Sequence, residues 1–117
     1  MIIEKIWDAN LDCEVTISIG QSAQENWDLI AQSQQTDLWF HLEGHPSPHV
    51  IISRPESSMG SGLSNQTLKS AAAYCKQYSK LSGLRRATVI YTEIKYVSRG
   101  DKVGSVITKK ACKRLII

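Results

Sequence analysis

The amino-acid sequence predicts one α+β domain, with two main helices and a mostly antiparallel sheet. Strand-like runs outnumber helical runs, and most of the connections between them are short. The length of 117 residues is typical of one domain and does not call for a second. We therefore predict a single domain over residues 1–117.

The N-terminal quarter predicts two strands followed by a helix. Residues 2–7 and 13–19 are rich in Ile and Val, and the second run alternates apolar with polar residues, as a half-buried strand does. Ser22 and Glu25 then form a capping-box pair, which predicts a helix over 23–33. The apolar stripe of this helix is expected at Ala23, Trp27, Ile30 and Ala31.

A hairpin is predicted next. Residues 37–43 alternate so that Leu38, Phe40 and Leu42 share one face of a strand. The other face would be exposed and would present Asp37, Trp39, His41 and Glu43. Gly44, Pro46 and Pro48 interrupt strand pairing, a second strand is expected over 49–53, and a surface loop over 55–62.

The second half predicts a long helix and several short strands. The helix is expected over 65–82, ending before Gly83, with small residues that allow close packing on a sheet. Its packed side is expected at Leu68, Ala71, Ala72, Cys75, Ser79 and either Leu81 or Ser82. Strands are expected over 87–92, 94–97, 104–107 and 113–117.

Composition excludes several classes of protein. No run approaches the roughly 20 apolar residues of a membrane-spanning helix, and no secretory signal is readable at the start. The three cysteines are widely spaced, which argues against a disulfide framework or a cysteine-based zinc site. We therefore expect a protein of the reducing cytoplasm that needs no membrane.

Charge is distributed unevenly along the chain. Residues 1–68 contain two basic and nine acidic residues, a net charge of −7, whereas residues 69–117 contain twelve basic and two acidic residues, a net charge of +10. This asymmetry suggests a polyanion as partner. It is equally compatible with a basic half that folds against an acidic half.

All three histidines lie in the predicted hairpin, where metal binding, hydrolysis and recognition are the three chemistries open to them. His41, His45 and His49 have a four-residue spacing that suits metal ligands on a helix, but Pro46 and Pro48 exclude that helix. A hydrolytic arrangement of Asp, His and Ser lacks any nucleophile-positioning motif. Recognition remains, in which His41 and His49 donate hydrogen bonds to phosphate or base edges and Trp39 stacks on an unpaired base.

The recognition hypothesis has a structural alternative. Trp39 could instead pack beneath a neighbouring loop, and Asp37 could cap the hairpin through its own backbone. The basic residues that would supply phosphate affinity are Lys69, Lys76, Lys80, Arg85, Arg86, Lys95, Arg99 and Lys102. The lysines of the second helix could equally form an ordinary solvated face.

Several of these residues resemble the NFACT-R family, the RNA-binding domain of NFACT proteins. The most specific element is Asp37-Leu38-Trp39-Phe40-His41 followed by Ser47-x-His49-Val50. Supporting positions are Ile19-Gly20, Ala23, Asn26, Leu29, Ala71-Ala72, Ser79, Val89-x-Tyr91-Thr92, Val97 and Gly104-x-Val106. The resemblance implies an α+β domain that contacts tRNA or ribosomal RNA in ribosome-associated quality control.

From these observations we expect a stand-alone NFACT-R-like domain that binds nucleic acid, most simply RNA. Asp37, Trp39, His41, Ser47 and His49 would form the recognition hairpin, and Asp37 would orient His41 or fix the turn. No catalytic activity, cofactor or metal is expected. The alternatives are an adaptor that docks on a ribosomal or quality-control protein and, third, a hydrolase.

Overall fold

The computed structural model describes residues 1–54 and 62–117. Within them the chain forms two helices, a short 3₁₀ turn at Ile94–Tyr96 and two antiparallel sheets. The helices are α1 (Ala23–Gln32) and α2 (Asn65–Gln77). The strands are β1 (Ile2–Asp8), β2 (Cys13–Ile19), β3 (Leu38–Leu42), β4 (Val50–Ser53), β5 (Thr88–Glu93), β6 (Val97–Arg99), β7 (Val106–Thr108) and β8 (Lys113–Ile116).

Six strands form the main sheet in the order β1-β2-β4-β3-β5-β8, and every neighbouring pair is antiparallel. Strands β6 and β7 form a separate hairpin. The predicted α+β class with a mostly antiparallel sheet and two main helices is confirmed. None of the helices in residues 1–54 and 62–117 has the length and apolarity needed to cross a bilayer.

The main core lies between one face of the sheet and α2. It contains Phe40, Leu42 and Val89 from the central strands, and Ala71, Ala72 and Cys75 from the helix are buried against the same face. The small side chains of α2 bring its backbone close to the sheet. These helix positions are as the sequence predicts, although α2 ends at Gln77 and not near residue 82.

The early end of α2 has a local cause. Ser79 donates its hydroxyl to the Lys76 carbonyl at 2.7 Å, and its amide bonds the same carbonyl at 3.1 Å. These bonds replace the next turn of helix, because a serine that bonds nearby backbone groups competes with helical hydrogen bonding.

A second, smaller core covers the opposite face of the sheet. Trp39 and Ile51 from the central strands pack there against Leu29 of α1, Ile94 of the 3₁₀ turn and Val97 of β6. The sheet is therefore covered on both faces. The expectation that Trp39 lies on an exposed face is wrong, because α1 and the β6–β7 hairpin lie over it.

The structure corrects two further local predictions. In α1 the buried residue is Leu29, whereas Ala23 and Ala31 of the predicted stripe are exposed, because the helix turns the side that carries Leu29 toward the sheet. Residues 94–96 form a 3₁₀ turn and not a strand, with the Ile94 amide donating to the Asp37 carbonyl at 2.8 Å. The surface loop predicted over 55–62 lies, apart from Gly62, outside the described residues.

Asp8 ties the first turn of the chain to the start of α2. Its fully buried carboxylate accepts hydrogen bonds from the amides of Asn10 at 2.9 Å, Leu11 at 3.0 Å and Ser64 at 2.9 Å. Burial alone would raise the pKa of Asp8, but hydrogen bonds from Thr67, Ser64 and Leu11 together hold it below its ordinary value. The carboxylate is therefore ionised in the folded state.

Asp8→Ala is expected to lower the free energy of unfolding by about 2–3 kcal/mol, since three backbone amides lose a charged, buried acceptor. Chemical denaturation at neutral pH measures the change. The matched control is Asp101→Ala, which removes an exposed carboxylate and should change stability by no more than about 0.5 kcal/mol. Equal stability of the two variants would contradict the bridging role of Asp8.

Candidate nucleic-acid interface

Residues 43–49 join β3 to β4 and are called the histidine loop here. They lie at one end of the main sheet, and the pairing of the strands shows which residues share that end. Val50 at the start of β4 pairs with Ile19 at the end of β2, and the Glu43 amide donates to the carbonyl of Thr88, where β5 begins, at 2.9 Å. We call this the loop end of the sheet.

Ser47 closes the histidine loop from within. Its hydroxyl accepts a hydrogen bond from the Leu42 amide at 3.0 Å and donates to the Pro48 carbonyl at 3.0 Å. Gly44, with φ of +74°, supplies the left-handed backbone that the turn needs. Ser47 therefore uses its hydroxyl to fix the loop.

Asn26 of α1 holds the loop from outside. Its Oδ1 accepts from the His49 amide at 3.1 Å, while the His49 carbonyl accepts from the Gly20 amide at 3.0 Å. A Cβ atom at residue 20 would overlap Asn26 Oδ1, so glycine is required for this approach. Gly20 and Asn26 thus place His49 at the second strand of the hairpin.

Trp39, His41 and His49 form an aromatic cluster beneath the histidine loop. The Trp39 and His41 rings are stacked with centroids 5.7 Å apart, and the His49 ring is perpendicular to both, at 5.5 and 5.2 Å. Trp39 Nε1 donates to His49 Nδ1 at 3.1 Å. Trp39 and His49 are each 1% exposed, whereas His41 is half-buried.

This burial corrects the direct-contact roles expected of Trp39 and His49. An indole that is 1% exposed offers no face on which an RNA base can stack, and His49 Nδ1 is already used as an acceptor. The two side chains instead support the loop and the half-buried His41 ring. Trp39 packs beneath neighbouring elements, as the structural alternative to recognition expected.

His49 and the half-buried His41 are both neutral at physiological pH. The pKa of His49 is lowered to about 3, mainly by burial and to a lesser extent by the neighbouring His41. A backbone hydrogen bond to Gly104 raises this pKa, but by less than the other two effects lower it. Burial also lowers the pKa of His41, against a bond to the Leu42 carbonyl. His41 Nδ1 lies 2.6 Å from that carbonyl and therefore donates to it, which leaves Nε2 of the neutral ring as an acceptor.

Asp37 lies at the other end of β3 and does not contact His41. Its carboxylate accepts from the Gln34 amide at 2.9 Å and the Arg54 amide at 3.1 Å, and its carbonyl accepts from the Ile94 amide. Its side chain fixes the turn before β3 and the residue that follows β4. Neither expected role is observed, because the turn of the hairpin lies at the other end of β3 and Asp37 is four positions from His41 along the extended strand.

Four of the expected basic residues reach the loop end from the side of α2. Lys76 is in the last turn of α2, and its Nζ donates a hydrogen bond to the Ile117 carbonyl at 3.4 Å. Lys80 follows the helix, and Arg85 and Arg86 are exposed immediately before β5. These residues come together because α2 runs toward the loop end and β5 starts there.

Two more reach it from the side of α1. The loop of the β6–β7 hairpin packs on the start of α1, where a Cβ on Gly104, at φ of +87°, would lie 2.9 Å from Ala23 Cα. Lys102 belongs to this loop and donates its amide to Ser105 Oγ at 3.2 Å. The Arg99 guanidinium lies over the Trp27 ring of α1 at 5.0 Å.

Lys69 and Lys95 do not join this group. Lys69 is in the second turn of α2, near the helix start that Asp8 holds at the opposite end of the sheet. Lys95 is beside Asp37, pairs with Glu93 at 3.6 Å and lies over the Tyr96 ring. The basic residues expected to supply phosphate affinity are therefore divided between two ends of the sheet.

Ion pairs between the acidic and basic halves are few. In the part of the chain that the structure describes, Arg114 and Glu43 form the one side-chain pair between them, at 2.6 Å. Exposed cations such as Lys80, Arg85, Arg86 and Lys102 have no ion pair there. Internal neutralisation therefore does not account for the basic half.

A cavity of about 630 Å³ opens beside the histidine loop. The turn after β2, the first turn of α1, the loop itself and residues 78–81 after α2 form its walls. Tyr78 and Asn26 were not among the predicted site residues. Only the four-residue spacing of Tyr74 and Tyr78 at the helix end, and the position of Asn26 in the family pattern, pointed to them.

Across residues 1–54 and 62–117, no group of three or more His, Cys, Asp or Glu side chains is arranged to hold a metal ion. His41 and His49 do approach each other, but the Nδ1 atoms of both rings are engaged in the hydrogen bonds described above.

Comparison with known proteins shows similarity to a family, to a longer bacterial protein and to a solved structure. The family described as NFACT protein RNA binding domain matches residues 6–110. The Rqc2 homolog RqcH of Bacillus subtilis (strain 168) is 30% identical over 95 residues, which cover 79% of this chain and 16% of RqcH. The C-terminal structure of the fibronectin/fibrinogen-binding protein from Streptococcus suis superposes with a TM-score of 0.82 at 23% identity, covering all of this chain and 45% of that one. The last match establishes similarity of fold.

Proposed function

Because the chain belongs to the family of NFACT protein RNA-binding domains, we propose that it binds RNA through the loop end of its sheet. The binding surface consists of the histidine loop with the cations that converge beside it. They are Lys76, Lys80, Arg85, Arg86, Arg99 and Lys102. The observation that carries the proposal is this convergence, which the antiparallel register and the direction of α2 produce.

Charged and neutral side chains have different roles at the proposed surface. Exposed lysine and arginine side chains attract the phosphate backbone, and they do so independently of RNA sequence. His41 adds a neutral acceptor, Nε2, which suits a ribose 2′-hydroxyl or a base amino group better than a phosphate oxygen. Trp39, Ser47, His49 and Asp37 act indirectly, by fixing the hairpin.

Within this proposal the RNA is a transfer RNA or a ribosomal RNA, and the domain serves ribosome-associated quality control. The family resemblance implies both, and the similarity to a protein named as an Rqc2 homolog supports them. The chain spans 16% of the length of that relative.

Arg85→Ala/Arg86→Ala is expected to weaken RNA binding roughly tenfold at low salt, because two phosphate contacts are lost. The slope of log affinity against log salt concentration should become less steep by about 1.4, since each single-strand phosphate contact contributes about 0.7. Fluorescence anisotropy with labelled tRNA and single-stranded RNA, over a series of salt concentrations, measures both quantities.

The matched control is Lys109→Ala/Lys110→Ala, which removes the same charge from the opposite end, where the Lys109 amide bonds the Tyr96 carbonyl. It should keep most of the wild-type affinity. Equal weakening by the two variants would favour nonspecific attraction. Wild-type affinity in the arginine variant, or a salt-insensitive complex with a protein and none with RNA, would refute the proposed surface.

A further inference from the structure

The cavity beside the histidine loop has the chemistry to take a single unstacked nucleotide. We propose that it binds one unpaired base of the RNA against Tyr78, with the adjoining phosphate at Lys80. This inference rests on the proposed function and deepens it, because it names the part of the RNA that the loop end recognises.

Size and lining both fit a nucleotide. The volume of about 630 Å³ exceeds one base with its ribose, so the backbone can enter and leave the same cavity. Pro46, Pro48 and Leu81 supply apolar surface, whereas Asn26 and His45 supply polar atoms. Ligand sites commonly combine an apolar wall with a few polar groups in this way.

Tyr78 supplies the aromatic surface that Trp39 does not. Its side chain is 42% exposed and lines the cavity, and the Tyr74 ring stacks against it with centroids 6.3 Å apart. Its position is fixed because it is the C-cap of α2, with its amide bonded to the carbonyl of Tyr74. An exposed ring on a fixed backbone is a suitable platform for a base of any identity.

Charge orients the nucleotide. The phosphate does not go to the start of α1, because Glu25 already occupies it, with its carboxylate accepting from the Gln21 amide at 2.8 Å and Ser22 Oγ accepting from the Glu25 amide. Lys80 is the cation in the cavity wall. Arg85 and Arg86 follow the turn that the Leu84 amide closes on the Leu81 carbonyl, and they continue the backbone path away from the cavity.

A single-stranded 12-nucleotide RNA tests the inference by anisotropy. Tyr78→Ala is expected to weaken binding by roughly 5- to 100-fold, the range that loss of one base–aromatic stack gives. Tyr78→Phe should stay within about twofold, because stacking needs the ring and not the hydroxyl. Trp7→Ala, which removes a 59% exposed aromatic ring near the opposite end of the sheet, should bind as wild type does.

A second measurement does not depend on the variants. Photocrosslinking of the same RNA containing 5-iodouridine, followed by mass spectrometry, should modify Tyr78. Wild-type affinity of Tyr78→Ala, or crosslinks confined to other residues, would overturn the inference. If Arg85→Ala/Arg86→Ala still weakens binding in that case, the proposed RNA surface stands without the nucleotide site. If neither variant weakens it, both proposals fail.

Discussion

Trp39→Ala is expected to lower the free energy of unfolding by about 3–5 kcal/mol, the range for removing a large aromatic side chain from a well-packed core. Trp39 is 1% exposed, and its side chain packs on the sheet against Leu29 of α1 and Val97 of β6. The change would leave a cavity there and deprive His49 Nδ1 of its donor. Urea denaturation followed by circular dichroism measures the loss.

Two further variants separate the contributions to that loss. Trp39→Phe keeps much of the ring but loses the bond to His49, and should cost about 1–3 kcal/mol. Trp7→Ala removes the same residue type from an exposed position on β1 and should change stability by about 0.5 kcal/mol or less. If Trp39→Ala were as stable as Trp7→Ala, the assignment of Trp39 to the core would be wrong.

Acid is expected to destabilise the fold through His49 well before the carboxylates are protonated. The folded pKa of His49 is about 3, against 6.5 for an unperturbed histidine. Between these values the unfolded chain binds the proton and the folded chain does not, so stability is complete above about pH 6.5 and falls as the pH decreases toward 3. From pH 7.5 to 4.5, His49 should account for a loss of about 2–3 kcal/mol.

His49→Asn isolates this contribution. Asparagine can still accept from Trp39 Nε1 through its side-chain oxygen but does not titrate. The variant should be less stable than wild type at pH 7.5, and its stability should change less between pH 7.5 and 4.5. His45→Asn, at an exposed position outside the aromatic cluster, should keep the wild-type dependence. A wild-type dependence in His49→Asn would exclude His49 as its source.

Local patterns in the sequence predicted most of the fold. The alternation in β2 and β3 gave the strands, Ser22 gave the start of α1, and the small residues of α2 gave its packed side. Each of these features depends on neighbours within a few residues. The 3₁₀ turn at residues 94–96 could not be predicted from local patterns, because it depends on a hydrogen bond to the distant carbonyl of Asp37.

Several residues of the candidate site could be predicted from the sequence, but their roles could not. Alternation in β3 showed that Trp39 and His41 share a face, but it cannot show that α1 and the β6–β7 hairpin cover that face. Lys69, Lys95 and the arginines likewise follow no local pattern that would assign them to different ends of the sheet. Tertiary packing makes both distinctions.

Segments far apart in sequence restrain the histidine loop at several points. Gly20 and Asn26 hold His49, Ser47 holds Leu42, and the Thr88 carbonyl holds Glu43. Little backbone freedom is therefore left for a ligand to remove, and binding incurs a small ordering entropy at this loop. Variants that loosen the restraints, such as Ser47→Ala, should lower RNA affinity through entropy, although the basic side chains, Tyr78 and Asn26 are all still present.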